Sequence, residues 1–402
     1  MFFEFFICIF LRIAYGFALV RLRIFARRKP ISVIFLVSEI AKWKAQSLYD
    51  LLAKDKRFAP CIYVYPMGLD KKLTETDLRL KLKEKESFFS EKGMNVSIAW
   101  DYSKQKFKTD YFNGNGIVFY QQPWDIPPAP RPVSLSLRYL TFYIPYYLVN
   151  NYSYELDLCM PLHRHVFRYI VQCPKLADFY NGVRKHIIAG KIVGLGHTST
   201  DGFNILRTDF DYTVIYAPHF SFPNRKRDVY YSTFLENGEL ILEYAKKHPN
   251  IHWVFKPHPR LFLELVNSEV WTKEKAEQYY TDWGQIGYTC YTSDYQSLFV
   301  NSDLMITDCG SFLTEYSCTK KPIIRMISSK LNLGPNPILK ELYSTIYDVH
   351  NNEELLEAMD SLIVKGIDSH KEAREKAVSK LGLCESNAAD NIKQYISDTL
   401  HI

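Results

Sequence analysis

No CxxC pair occurs among the eight cysteines, at positions 8, 61, 159, 173, 290, 309, 318 and 384, so the chain encodes neither a zinc ribbon nor a dithiol redox centre. Cysteines dispersed in mostly apolar settings predict reduced core thiols of a cytosolic enzyme. The formal net charge of +6 over 402 residues is too slight a basic excess for a nucleic-acid protein. Zinc-finger spacing, an aromatic-basic single-strand platform and a recognition-helix pattern are absent too, so nucleic acid is not a predicted partner. Internal repeats and low-complexity segments are also lacking. What remains is 47% hydrophobic and 23% charged, the make-up of a folded chain long enough for two domains, each with its own core. Aromatics reach 15%, many of them in the N-terminal half, which suits surfaces working near lipid.

Met1 to Val20 is nearly continuous apolar sequence, interrupted by Glu4 and Arg12 and followed by Arg21, Arg23, Arg27, Arg28 and Lys29. A cleavable signal carries its positive charge first, whereas here it comes last. The segment is barely long enough to span a bilayer, so residues 1–29 are expected to associate with a membrane, across it or in its interface, with the basic cluster on the cytoplasmic side. A buried first helix is the alternative.

From Pro30 onward, apolar runs alternate with amphipathic stretches. Strands are expected at 31–37, 59–65, 95–100 and 116–120, with helices at 39–53 and 76–92 between them. The run Gln121 to Pro132 holds five prolines and is a loop at the carboxyl end of the fourth strand. Further signals run through 154–159 and 163–173, and Gly194 to Asp201 reads as an exposed turn near a domain boundary. A second series has strands at 212–219, 251–255, 288–291, 304–307 and 321–326, helices at 236–248 and 272–282, and closing helices at 353–364 and 370–395. The expected divisions are the segment 1–29, a β/α domain 30–205, a second β/α domain 206–350 and helices 351–402 packing back across both. The fold class is α/β, with two Rossmann-like β/α domains facing a central cleft, the layout of GT-B enzymes.

Two motifs carry the chemistry. Lys256-Pro257-His258-Pro259-Arg260 follows the strand 251–255, and the flanking prolines fix the direction of the imidazole, a preorganised donor for phosphate charge. Thr307-Asp308-Cys309-Gly310-Ser311 follows the strand 304–307 and opens a helix, where a free hydroxyl and the helix dipole suit an anion. Glu315 lies one turn further on, placed to accept hydrogen bonds from ribose or glycerol hydroxyls. His219 ends the strand 212–219. Ser311 and Asp308 read equally as a helix cap and a turn residue, and Glu315 as a capping or solvated side chain.

In these residues the chain resembles the CDP-glycerol glycerophosphotransferase family of teichoic-acid and capsule synthesis, over roughly residues 110–350. The resemblance rests on Ile215-Tyr216-Ala217-Pro218, on His258-Pro259, on the block Ile306 to Ser311 with Glu315, and on Lys321-Pro322. It implies transfer of glycerol phosphate from CDP-glycerol to a hydroxyl of a lipid-linked or polymeric glycan acceptor, release of CMP, and work at the cytoplasmic face of the membrane. It also implies no cofactor and no metal, and no ligand-spaced carboxylate pair is seen. The resemblance implies that the domain 30–205 is the acceptor side and the domain 206–350 the nucleotide side. On this reading His258 is catalytic, while Lys256, Arg260, His219, Thr307, Asp308, Gly310, Ser311 and Glu315 line the donor side.

Two positions depart from the family pattern. Trp124-Asp125-Ile126 stands where the family has Trp-His-Gly, which makes Asp125 the candidate base, or else a loop cap. Gly310 stands where the family has its first serine. An acidic base raises a rival, a CMP-sugar transferase of the sialyl or Kdo type. The two substitutions together raise another, an inactive GT-B assembly module.

Overall fold

The computed structural model describes the chain except residues 1, 69, 151–152, 154–157, 184–190, 205–206, 209–210, 223–229, 292–294, 332–333 and 386. Most of the stretch 154–159, which carries further signals, therefore lies outside the described residues. The chain divides into two compact units, Met1–Leu148 with Ser153–Asp201 and Cys384–Ile402, and Val149–Tyr152 with Gly202–Leu383.

The first unit contains β1 (Ile31–Val37), β2 (Phe58–Val64), β3 (Val96–Ile98), a small hairpin of β4 (Trp100–Asp101) and β5 (Lys106–Phe107), then β6 (Gly116–Tyr120), β7 (Tyr139–Tyr143), β8 (Arg168–Val171) and β9 (Ile192–Gly194). The main sheet runs β3-β2-β1-β6-β7-β8-β9, with Ile31 opposite Phe58 and Ser32 opposite Gly116. Every neighbouring pair is parallel. Both faces are covered, which is why β1 and β6 read as unbroken apolar runs. At Gly116 a Cβ would stand 2.4 Å from the Ser32 carbonyl oxygen, so only glycine lets β6 approach β1. The chain leaves β1 toward β2 and β3 on one side and returns to β6 on the other, making the β1–β6 pair the switch point of this sheet.

The N-terminal helix α1 (Phe2–Ala26) is part of this unit. Leu11, Ala14, Ala18 and Leu22 are fully buried, and Leu11, Ala18 and Leu22 share a core with Ile392 and Ile396 of the last helix, Ala388–Leu400. Residues 1–29 are thus no separate segment. The closing stretch 370–395, expected as one helix, is two. Gly382 ends Lys371–Leu381 in the left-handed region (φ 67°), and Asn387 caps the next helix through its side chain. The first of these helices belongs to the second unit and the other to the first. The stretch 194–201 is not exposed. His197 to Thr200 are buried, His197 Nε2 meets the Pro145 carbonyl at 2.7 Å, and Asp201 accepts from the Ala388 and Ala389 amides. Six cysteines are free thiols, but Cys318 and Cys384 are disulfide-bonded rather than reduced as expected.

The second unit holds β10 (Thr213–Ala217), β11 (His252–Phe255), β12 (Gly287–Thr289), β13 (Leu304–Thr307), β14 (Ile323–Met326) and β15 (Tyr347–Val349). Its sheet, in the order β12-β11-β10-β13-β14-β15, is also parallel throughout, with Ala217 beside Thr307. Here the switch point lies between β10 and β13.

Candidate functional site

Switch points open a crevice because the loops after the two neighbouring strands leave in opposite directions. In the second unit the loop after β10 carries His219, the loop after β13 carries Asp308 and Cys309, and His258 follows β11, the next strand along. These three loops are tied together from beneath. Asp308 is buried, its Oδ1 accepts from the His219 amide at 2.5 Å, and its Oδ2 accepts from the Thr233 amide at 2.7 Å. Burial pushes its carboxyl up to about 7 although those donors pull it down. Thr307 donates its hydroxyl to the Ala217 carbonyl at 2.6 Å and accepts the Cys309 amide at 2.9 Å. Asp308 and Thr307, expected on the donor side, therefore spend their polar atoms on the strands and loops that frame the site.

The two histidines share one local device. The Arg260 amide donates to His258 Nδ1 at 3.1 Å, and the Ser221 amide donates to His219 Nδ1 at 3.2 Å. In each neutral ring the proton is thereby assigned to Nε2. The ring centroids lie 4.9 Å apart. His258 is held to the loop after β10 by its amide, which donates to the Pro218 carbonyl at 3.0 Å. Burial first, then the Arg260 and Lys256 cations, lower its pKa to about 4, so at neutral pH it is an uncharged N–H donor. Among the described residues none bonds its Nε2. Phe220 packs 4.3 Å from the His258 ring, and the Arg260 guanidinium lies 4.4 Å from the same Phe220 ring. Arg260 stays exposed, with Glu264 3.7 Å away.

The third wall is the helix Gly310–Ser317. Ser311 is exposed in its first turn, its Oγ 3.1 Å from the Cys309 sulfur. A Cβ on Gly310 would stand 3.0 Å from the Tyr231 ring and 3.2 Å from Asn150 Nδ2, so a serine there requires these side chains to give by a few tenths of an ångström. Lys256 is buried, its ammonium 5.0 Å from the Tyr295 ring and 5.9 Å from that of Phe312. Tyr295 donates its hydroxyl to Glu315 Oε2 at 2.9 Å, and Glu315 is 5% exposed, so Lys256 and Glu315 stand inside the wall. Lys321 donates to the Phe299 carbonyl at 3.1 Å and also to that of Val300, at the end of the helix Gln296–Asn301, a structural part for the Lys-Pro pair. Of the polar side chains of these loops, Arg260 and Ser311 are thus exposed, while His258 and His219 are half-buried. Tyr231, Tyr295, Ser221 and Thr233 were not anticipated. Ser221, two residues beyond His219, was the readable signal, since it repeats the spacing of Arg260 from His258.

Asp125 belongs to the first unit. It is exposed, in the loop after β6 at that sheet's switch point, with a positive φ of 55°. Its carboxylate covers Gly68, where a Cβ would stand 2.9 Å from Oδ1. The loop is braced by Gln122, which takes hydrogen bonds from Ser38 (3.0 Å) and Lys42 (2.8 Å) and donates to the Trp124 carbonyl (3.0 Å). The Lys42 ammonium lies 5.5 Å from both the Trp124 and Tyr146 rings.

Residues 203–330 match the model of the CDP-Glycerol:Poly(glycerophosphate) glycerophosphotransferase family, which bears out the resemblance read from the motifs. A stretch of 104 residues is 34% identical to the minor teichoic acid biosynthesis protein GgaB of Bacillus subtilis (strain 168), taking in 25% of this chain and 10% of that protein. The chain thus spans about a tenth of the length of the curated relative it matches. Among solved structures, a UDP-N-acetylglucosamine 2-epimerase superposes with a TM-score of 0.58 at 11% identity, over 93% of this chain and 97% of that one. The UDP-GlcNAc 2-epimerase of Neisseria meningitidis gives 0.55 at 12%, over 92% and 99%. The wall teichoic acid polymerase TagF gives 0.56 at 12%, over 92% and 88%. At such identities the likeness is one of fold, and the fold class is α/β of the GT-B type, built from two Rossmann-like units.

Proposed function

We propose, from the family match over residues 203–330, that the chain transfers glycerol phosphate from CDP-glycerol to a hydroxyl of a lipid-linked or polymeric cell-surface glycan and releases CMP. The observation that carries this reading is the set on the loops of the second unit, a neutral, half-buried N–H donor at His258 with the exposed Arg260 and with Ser311 at the head of a helix. In the reaction the acceptor oxygen forms a bond to the phosphorus that bears glycerol, and the bridging P–O bond to CMP breaks. The leaving CMP gains negative charge. A directed N–H and a helix N-terminus stabilise that charge more than they stabilise the intact donor, which is the condition for faster chemistry. Lys256 and Asp308 set the positions of these groups. Asp125 takes the proton lost by the acceptor hydroxyl, as an exposed carboxylate can.

The acidic residue at position 125 favours one second reading, transfer from a CMP-sugar. Purified protein given CDP-glycerol or a CMP-sugar, each with membrane extract as acceptor, separates the two by CMP release. CMP from CDP-glycerol supports the first reading, and CMP from the sugar nucleotide alone supports the second. Neither would point to an inactive assembly module. The proposed place of work is the cytoplasmic face of the cell membrane, supported by the apolar helix α1.

A further inference from the structure

We infer that α1 lies in the plane of an anionic phospholipid bilayer rather than across it, and that a pocket at its carboxyl end holds a lipid headgroup phosphate among Arg21, Arg28 and Arg138. The helix has two unlike sides. Its inner side is bolted to the first unit along its length by polar as well as apolar contacts. Glu4 pairs with Arg164 at 3.2 Å, the Tyr15 hydroxyl donates to the His165 carbonyl at 2.8 Å, and Arg23 Nη2 donates to the Thr399 carbonyl at 2.9 Å. A spanning helix is covered by lipid or by other spanning helices, so crossing would strip these bonds.

The outer side is apolar and open. Phe5, Phe6, Ile13, Phe17, Val20 and Ile24 are each between 55% and 61% exposed, in a row that runs the length of the helix. A continuous apolar row of this kind marks a binding surface. Charge identifies what covers it. Arg12, Arg21, Arg27, Arg28 and Lys29 are exposed on or just beyond the same helix, and among the described residues the ion pairs of α1 are those of Glu4. Aromatic and aliphatic side chains edged by unpaired cations match the headgroup and acyl layers of an anionic leaflet.

The pocket extends that surface. An open cavity of about 490 Å³ is lined by Arg21, Arg28 and Arg138 together with Asn113 and Asn115. A second cavity of about 310 Å³ shares Arg138 and continues along Phe112, Leu135 and Tyr139. Three guanidiniums beside two amides suit a phosphate, and Phe112, Leu135 and Tyr139 of the neighbouring cavity, among Thr109 and Ser134, offer apolar contact to the carbon skeleton joined to it. Arg21 also reaches the Leu137 carbonyl at 3.5 Å, and the Leu137 side chain is 48% exposed.

Flotation of the full chain with vesicles tests this independently of the proposed catalysis, because binding is read with neither donor nor acceptor present. Vesicles of phosphatidylcholine with phosphatidylglycerol should bind the chain at least about tenfold better than phosphatidylcholine alone, and salt should weaken the binding. Arg28→Gln/Arg138→Gln should abolish the preference for the anionic vesicles, and Ile13→Ser/Phe17→Ser should weaken binding to both kinds. Melting curves of both variants should match the parent, and alkaline carbonate should release the bound protein. Equal binding to both vesicles, or arginine variants that keep the preference, would overturn the inference. Resistance to carbonate would make α1 a spanning helix. If inorganic phosphate bound at the arginines while vesicle binding ignored the same substitutions, the pocket would serve a soluble anion instead.

Discussion

At the scale of single residues, His258 is the clearest case of a side chain prepared for one task. Its ring direction is set by an amide on Nδ1, and burial keeps it neutral. A histidine held near 4, against about 6.5 when unfolded, binds its proton less tightly in the folded state. Folding stability therefore falls as pH drops from 6.5 toward 4 and is fully present above 6.5. His197, also held near 4 by burial, acts in the same direction. Urea unfolding at pH 5 and pH 7.5 should show a smaller loss for His258→Gln than for the parent. An equal loss would mean the ring is not held neutral by its surroundings. Gly310 makes a second residue-scale prediction. Gly310→Ser, which restores the family's serine, should lower stability by about 1–3 kcal/mol because Tyr231 and Asn150 must give way, and Tyr231→Ala should recover part of it. The sequence made His258, Arg260 and Ser311 legible because strand-end position and residue type suffice to nominate them. It did not reveal that Thr307, Asp308, Lys256 and Glu315 turn inward. That depends on partners such as Thr233 and Tyr295, far off in the chain.

At the scale of elements, apolar runs of strand length marked most of the strands, and β6 and β13 fall on the residues expected. β7 has no counterpart among the expected strands, and all five residues of Tyr139–Tyr143 are buried. The break at Gly382 was passed over because helical spacing resumes after it, although glycine at a helix end is a recognised stop. α1 separates composition from packing. Its length and hydropathy pass for a membrane span, while Leu11 and Leu22 are core residues. Leu11→Ala should cost about 2–5 kcal/mol in unfolding, and Phe17→Ser should leave stability within about 0.5 kcal/mol of the parent. Equal effects would mean the helix does not pack by that face.

At the scale of the whole molecule, the same design appears twice, a parallel sheet with its functional loops at the switch point. One unit presents Asp125 on a braced loop at positive φ, and the other presents His258, Arg260 and Ser311. Doubling of the β/α pattern was visible in the sequence as alternating apolar runs. The course of the chain was not, since residues 149–152 join the second unit and 384–402 the first. The most direct test of the account is CMP release from CDP-glycerol by the purified chain with membrane extract as acceptor, measured for the parent, Asp125→Asn and His258→Ala. The account predicts CMP from the parent and a loss of about 100-fold or more in each variant, with melting curves unchanged. No CMP from the parent, or full activity in both variants, would contradict it.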